Sequence, residues 1–230
     1  MNIFFGVTFL ASEYRTTDGG RMDSIGIDEN HCPVIFEYKR SVKENVINQG
    51  LFYLNWLLDH KDSFKVLVIE KLGMKAASNI DWTMPRVICV AGDFTKYDES
   101  AIKQMNRNIS LIRYKKFGEY LLMFEQVNEN IATAIPEDEP AGKARPTDKT
   151  FDEQMRNADD SIKVLYENLS NYILSLGDDI SESHLKLYAA FKKIRNVVTV
   201  VAQKKRLILN LPLDVSTVPF EEGFSRDVTN

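Results

Sequence analysis

Three side chains near the start of the chain have the types and spacing to bind a hard cation and move a proton beside it. Asp23 stands in Gly20-Arg-Met-Asp23-Ser-Ile-Gly-Ile27, and Glu37 and Lys39 in Pro33-Val-Ile-Phe-Glu37-Tyr-Lys39-Arg40. In a strand alternate residues share a face, so Glu37 and Lys39 point the same way, with Ile35. If the two segments pair antiparallel about the loop 28–32 without a bulge, Ile27 faces Pro33, Ile25 faces Ile35 and Asp23 faces Glu37. Directly opposed side chains have Cβ atoms ~4.5–5.5 Å apart. Two carboxylates at that distance repel unless a cation lies between them. A hard divalent ion such as Mg²⁺ suits oxygen ligands and keeps several waters. Lys39, one pleat further on, reaches a water or phosphate held there. A second reading stands beside this one: Glu-x-Lys on a solvated strand face is an ordinary ion pair. Val34, Ile35, Phe36 and Tyr38 are apolar on both faces, which argues for a covered strand where a charge without a partner is costly.

The elements that must position these groups alternate along the first 134 residues. A strand is expected over 9–16, then the hairpin 21–27 and 33–40. Ser41-Val-Lys-Glu44 is a capping box, so a helix should start near Ser41 and run to about His60. Its second half is apolar on most sides, as in a helix buried between layers. Strands are expected over 64–70 and 86–91, a short helix over 99–107, and strands over 110–114 and 120–127. The fold class is therefore α/β (α+β), a mixed β-sheet flanked by helices. Residues 135–150, with three prolines, many charges and little to bury, read as an exposed linker. Beyond it, one long amphipathic helix is expected over 151–176 and a second over 181–195. A hairpin, 197–203 and 207–211, turns at Lys204-Lys205-Arg206. This makes residues 151–230 a small α+β domain.

Composition narrows the chemistry. The chain has 230 residues, 44% hydrophobic and 27% charged, which suits one or two globular domains. No apolar run approaches the ~18–20 residues of a membrane span. The start, Met-Asn-Ile-Phe-Phe-Gly-Val, lacks a basic leader, so no signal peptide is expected. With only Cys32 and Cys89 present, reduced thiols in a cytoplasmic protein are the expectation. The three histidines share no metal-ligand spacing with a cysteine, which argues against zinc. The net charge of -4 excludes a uniformly basic nucleic-acid binder. Basic residues nonetheless segregate: Lys103, Arg107, Arg113, Lys115 and Lys116 in one acid-free stretch, and Lys186, Lys192, Lys193, Arg195, Lys204, Lys205 and Arg206 in another. Such stretches can make an anion-attracting surface on an acidic protein. No Walker A, Rossmann glycine pattern, Ser/His/Asp set or CxxC occurs, so nucleotide-hydrolysing, dehydrogenase and protease chemistry lack support.

Asp followed about a dozen residues later by Glu-x-Lys on an adjacent strand resembles the PD-(D/E)xK nuclease superfamily. The likeness extends over Gly20-Arg-Met-Asp23-Ser-Ile-Gly-Ile-Asp28, Val34-Ile-Phe-Glu37-Tyr-Lys39-Arg40 and Asn45-Val-Ile-Asn-Gln49-Gly-Leu-Phe-Tyr-Leu-Asn-Trp56. A glutamine helix after the Glu-x-Lys strand is similar to the RecB-like and NucS-like branches, and the resemblance covers about residues 5–130. It implies a restriction-endonuclease-like core that hydrolyses DNA phosphodiester bonds in repair, recombination or defence. Asp23 and Glu37 would hold Mg²⁺ or Mn²⁺, Lys39 would orient or deprotonate the attacking water, and Gln49 would position the water, Lys39 or the nucleic-acid backbone. Tyr53, four residues on, would line the same cleft. Gln49 is equally readable as a helix-surface residue. Arg21 shares the Asp23 face and either contacts phosphate or pairs with Glu13 or Asp23; Glu13 is a supporting carboxylate or a solvent-facing residue. Arg40 joins the DNA-contacting candidates. The helix that many relatives carry before the first strand looks absent here, which leaves open a degenerate module that binds nucleic acid or a protein without turnover. The C-terminal segment is similar to a small uncharacterised domain appended to such nucleases. Its Lys192, Lys193, Arg195, Lys204, Lys205 and Arg206 could contact phosphates, with Tyr188 or Phe191 stacking, or form a solvated basic hairpin over core aromatics. DNA is the partner implied; no membrane is expected, and a homodimer is allowed.

Overall fold

A computed structural model describes residues 1–39, 46–132 and 149–228. They form two compact units, Met1–Asp148 and Lys149–Asn230.

The first unit is a six-stranded mixed sheet flanked by helices. Its elements are α1 (Asn2–Phe5), β1 (Val7–Arg15), β2 (Arg21–Asp28), β3 (Pro33–Lys39), α2 (Val46–Asp59), α3 (Lys61–Leu72), α4 (Met74–Ala77), β4 (Arg86–Ala91), α5 (Lys96–Ile102), β5 (Asn108–Phe117) and β6 (Leu121–Asn130). The strands lie in chain order across the sheet. β1, β2 and β3 pair antiparallel, β3, β4 and β5 parallel, and β5 and β6 antiparallel. Parallel neighbours need a crossover; α2, α3 and α4 supply it from β3 to β4, and α5 from β4 to β5. The core joins Ile35, Val87, Cys89 and Leu111 of the sheet to Leu54 and Leu57 of α2 and Phe64 and Val68 of α3. Phe36, on the other face of β3, meets Phe5 of α1 edge to face, with centroids 5.2 Å apart.

Residues 64–70 form part of helix α3, not the strand expected from the apolar run Val66–Ile69. The buried side chains are Phe64, Leu67 and Val68, while Val66 is exposed. That spacing is helical. Asp62 in the first turn and Lys71 in the last also suit the helix dipole. The helix α5 starts three residues earlier than expected, because Thr95 and Asp98 form a reciprocal capping box. The capping box read at Ser41–Glu44 lies outside the described residues, as do Arg40 and most of the 135–150 linker.

The second unit contains α6 (Phe151–Asn157), α7 (Asp160–Ser175), β7 (Ser181–His184), β8 (Ala189–Lys192), β9 (Asn196–Gln203) and β10 (Arg206–Asn210). The strands form one antiparallel sheet in the order β10-β9-β8-β7. Two expectations are corrected. The single helix over 151–176 is two helices. Ala158 and Asp159 are extended between them, and the Asp159 N–H is donated to the Lys204 carbonyl at 2.9 Å. The helix over 181–195 is the β7–β8 hairpin. Ala189, Ala190 and Phe191 are wholly buried in the sheet, and that burial outweighs the helix propensity of the surrounding Leu, Lys and Ala. Among the described residues no helix is long and apolar enough to cross a membrane.

One carboxylate ties this unit together. Glu182 of β7 accepts from Ser170 Oγ at 2.6 Å, from Tyr166 Oη and from His184 Nε2 at 2.8 Å; His184 Nδ1 lies 3.4 Å from Asp152 of α6. Burial alone would push Glu182 up, but the bonds from His184, Ser170 and Tyr166 outweigh it and hold the carboxyl at about 2. The bond to Glu182 raises His184 above its ordinary 6.5. A lowered acid stabilises the fold above its unfolded value, and a raised base stabilises it below its own. The contribution of this network to the thermal stability of the second unit is therefore expected to peak between about pH 4.5 and 6.5. It should fall on the acid side as pH drops toward 2, and on the alkaline side as pH rises through the raised His184 value. Melting curves across pH check this, and His184→Gln should flatten the alkaline arm and shrink the acid one, because His184 helps to hold Glu182 down.

Candidate active site

The β2–β3 register pairs Ile27 with Pro33, Ile25 with Ile35 and Ser24 with Phe36. One step further stand Asp23 and Glu37. There the backbone ladder gives way to a reciprocal exchange. The Asp23 N–H is donated to Glu37 Oε1 at 3.2 Å, and the Tyr38 N–H to Asp23 Oδ2 at 2.9 Å. Each carboxylate thus takes the place of a strand carbonyl, which fixes both acids at the carboxyl end of β3.

Their environments differ. Asp23 and Lys39 are half-buried, while Glu37 is 0% exposed. Glu37 Oε2 has no hydrogen-bond partner among the described residues. Burial and the neighbouring Asp23 charge push the Glu37 carboxyl up to about 7; the Asp23 N–H and the Lys39 ammonium pull the other way without prevailing. The pleat thus brings two acids and an amine within electrostatic reach of one another.

Cys89 of β4, opposite Glu37 in the parallel register, completes the floor. Burial and then the Glu37 charge raise its thiol, and Sγ donates to the Val46 carbonyl at 3.9 Å. This bond places the first described turn of α2 over the level of Glu37. Sequence reasoning missed Cys89, because a parallel register depends on a crossover of some forty residues and leaves no local signal.

The helix α2 brings Gln49 and Tyr53 to the same side. Gln49 Nε2 donates to Tyr53 Oη at 3.2 Å, and the Arg21 N–H donates to that oxygen at 3.1 Å. Tyr53 is buried and acts as the acceptor joining α2 to the start of β2. Two glycines allow the close approach. A Cβ on Gly20 would fall 2.7 Å from Tyr53 Cε1, and one on Gly50 would fall 2.5 Å from Val87 Cγ1.

Arg21 Nη1 pairs with Glu13 Oε1 at 3.2 Å. Glu13 has a left-handed backbone, φ 50°, a conformation that costs a non-glycine residue about 1–3 kcal/mol. Both partners are more than half exposed, so the pair itself contributes about 0–1 kcal/mol.

The remaining candidates lie in the second unit. Lys192 of β8 is 7% exposed, and Lys193 Nζ pairs with Asp179 at 2.9 Å. Arg195 is exposed between β8 and β9. Lys204 and Lys205 are exposed at the β9–β10 turn beside Arg206, whose Nε donates to Gln203 Oε1 at 2.7 Å. Phe191 is fully buried and offers no face to a base, which for this residue favours the core aromatic over the stacking platform; Tyr188 is half-buried.

A metal fits this donor set in part. Two carboxylates, one with an unbonded buried oxygen, supply hard ligands of the kind Mg²⁺ and Mn²⁺ take. Among the described residues there is no cluster of three or more His, Cys, Asp or Glu placed to hold a metal ion. The rest of a coordination shell would fall to water and substrate oxygens, the usual arrangement for Mg²⁺.

No known family profile matches the chain. An uncharacterised protein of Haemophilus influenzae is 29% identical over 239 residues, spanning all of this chain and 79% of that protein. Among solved structures, a repair endonuclease from Pyrococcus abyssi aligns with 47% of this chain and 39% of its own, at 19% identity and a TM-score of 0.31. The chemical reading of the site rests on its side chains.

Proposed function

We propose that the first unit is a divalent-metal-dependent nuclease that hydrolyses DNA phosphodiester bonds, with Asp23, Glu37 and Lys39 at its centre. One observation carries the reading: a wholly buried Glu37 carboxylate with an unbonded oxygen, set against Asp23 and within reach of Lys39. A buried acid so placed is costly to the apo fold, and a cation between the two acids relieves it. The motif order and the glutamine helix, which resemble the PD-(D/E)xK superfamily, support the same reading.

Asp23 and Glu37 would hold Mg²⁺ or Mn²⁺. When bound, the ion would act as a Lewis acid and lower the pKa of a coordinated water. Lys39 would orient that water and offset the charge that builds on the phosphate. Gln49, its amide nitrogen tied to Tyr53, would keep its carbonyl for the water or for Lys39. Arg21 would contact the backbone phosphate.

Assays on single-stranded, branched and mismatched DNA with Mg²⁺ or Mn²⁺ test this. Lys39→Ala is expected to slow cleavage about 10²–10³-fold while binding in EDTA stays within a few-fold of the parent. Asp23→Asn should abolish metal-dependent cleavage. Cleavage indifferent to both substitutions would sink the assignment.

The exposed basic residues Arg195, Lys204, Lys205 and Arg206 of the second unit favour a second reading: a nuclease-fold module that binds nucleic acid without turnover. It requires salt-sensitive binding that survives Lys39→Ala and Glu37→Ala, with no cleavage by the parent.

A further inference from the structure

The solvent face of α2 lacks the charge expected of a surface helix. Its exposed residues are Asn48, Phe52, Asn55 and Asp59, spaced so that they form one stripe. Such a face ordinarily carries charged side chains. Here amides flank a phenylalanine, and the first charge is Asp59, the last residue of the helix. Phe52 is 49% exposed, whereas the other rings of α2, Tyr53 and Trp56, are buried. Those two are held by bonds to the β1–β2 turn and the start of β2: Tyr53 Oη accepts the Arg21 N–H, and Trp56 Nε1 donates to Thr17 Oγ1 at 3.0 Å.

A half-exposed phenylalanine needs no explanation by itself; the place of this one gives it meaning. The helix and Glu37 share one face of the sheet, because Cys89, opposite Glu37 in the register, donates to the Val46 carbonyl. Phe52 stands one turn beyond Gln49, on the flank of α2 that meets the start of β2. A Cβ on Gly20 would fall 3.3 Å from Phe52 Cε1 and 2.7 Å from Tyr53 Cε1, so the ring rests against bare glycine backbone. It also meets Tyr53 edge to face, with centroids 5.6 Å apart. These contacts hold the ring on one side and leave half of it to solvent. Gly20 lies three residues before Asp23, ~10 Å along the strand, a distance that a short unpaired stretch of DNA covers.

We infer that Phe52 is a base-stacking platform beside the two carboxylates, and that the site takes unpaired DNA. The inference rests on the nuclease reading for its ligand and adds the substrate class. Every base has a π-face, so stacking on an aromatic ring is tolerant of sequence, but a base inside a duplex is already stacked and must leave it first. Asn48 and Asn55 flank the ring with amides, the groups that meet the edges of splayed bases. Tyr53, the aromatic that spacing alone points to, is buried with its hydroxyl engaged.

Stacking and electrostatics leave different traces. The measurement is fluorescence anisotropy with the full chain in EDTA, across a salt series. The labelled probes are a single-stranded deoxyoligonucleotide, an abasic strand of the same length and a blunt duplex. Phe52→Ala is expected to weaken binding of the single strand about 5–100-fold. The log–log salt slope should stay at the parent's value, because no phosphate contact is lost. Affinity for the abasic strand and for the duplex should match the parent's. Phe52→Leu keeps an apolar side chain against Gly20 and Tyr53 but has no π-face. It should bind the single strand as poorly as Phe52→Ala while unfolding in urea at the parent's midpoint, which separates lost stacking from a damaged helix. Phe52→Trp should bind at least as tightly as the parent.

Parental affinity of Phe52→Leu for the single strand would overturn the inference, as would an equal loss on the abasic strand. If Asp23-dependent cleavage stands while Phe52→Ala and Phe52→Leu bind the single strand as the parent does, only this inference fails. If the parent neither binds nor cleaves DNA, the nuclease reading fails with it.

Discussion

Stripped of divalent ions, the Glu37→Gln protein is expected to be more stable than the parent by about 1–3 kcal/mol, the range seen when a poorly compensated buried charge is neutralised. The substitution keeps the shape of the side chain. It keeps an acceptor for the Asp23 N–H, which now bonds Glu37 Oε1 at 3.2 Å. It removes the negative charge whose burial, together with Asp23, pushes the carboxyl up to about 7. The new amide nitrogen can donate to the Asp23 carboxylate, turning a repulsion into a hydrogen bond. Mg²⁺ should reverse the order. An ion present at 100 times its dissociation constant stabilises a folded protein by about 2.7 kcal/mol, and only the parent keeps both charged ligands. The same variant should cleave DNA at least about 10²–10³-fold more slowly. Urea denaturation of both proteins, with EDTA and with Mg²⁺, reads the first two effects, and a cleavage assay the third. A parent indifferent to Mg²⁺, with Glu37→Gln less stable under both conditions, would make the buried acid a structural group and remove the basis for a metal.

The β2–β3 hairpin was legible because its information is local. A five-residue loop and strict alternation set the pairs Ile27 with Pro33 and Ile25 with Ile35, and parity then puts Glu37 and Lys39 on one face. The hairpin 196–210 was legible for the same reason, with a basic turn between two alternating runs. The misreadings share a different cause. Val66–Ile69 is a short apolar run, which periodicity alone cannot assign; the burial of Phe64, Leu67 and Val68 makes it helical. At 189–192 packing on both faces of the sheet decided in favour of a strand. The break at Ala158 exists because a backbone N–H serves the Lys204 carbonyl, a partner some forty-five residues away. The site divides in the same way. Asp23, Glu37, Lys39 and the Gln49–Tyr53 spacing are visible as types and intervals. The burial of Glu37, the Cys89 neighbour and the strained backbone of Glu13 arise only when distant strands meet.

Gly50→Ala should damage the site out of proportion to its cost in stability. The added methyl would fall 2.5 Å from Val87 Cγ1, closer than van der Waals contact allows. Val87 is buried in the central strand β4 and has little room to yield. Overpacking of this kind costs about 1–3 kcal/mol, while replacing a helix-interior glycine by alanine recovers up to about 1 kcal/mol. The net loss is thus about 0–3 kcal/mol, and the protein should still fold. The helix must lift from the sheet, and Gln49 moves with it, since it sits beside Gly50 and bonds Tyr53 one turn on. A displacement near 1 Å in a positioning group can cost about 10²-fold in rate, so cleavage should fall about 10–100-fold with little change in DNA binding. Val87→Ala removes the opposing methyls, so the double variant should recover most of the lost rate and show a coupling of about 0.5–3 kcal/mol in stability. Rate recovery separates a displaced helix from general damage, because Val87→Ala alone adds a cavity and can only lower stability. A single variant that cleaves at the parental rate would show that Gln49 takes no part in the chemistry, leaving Asp23, Glu37 and Lys39 to perform it.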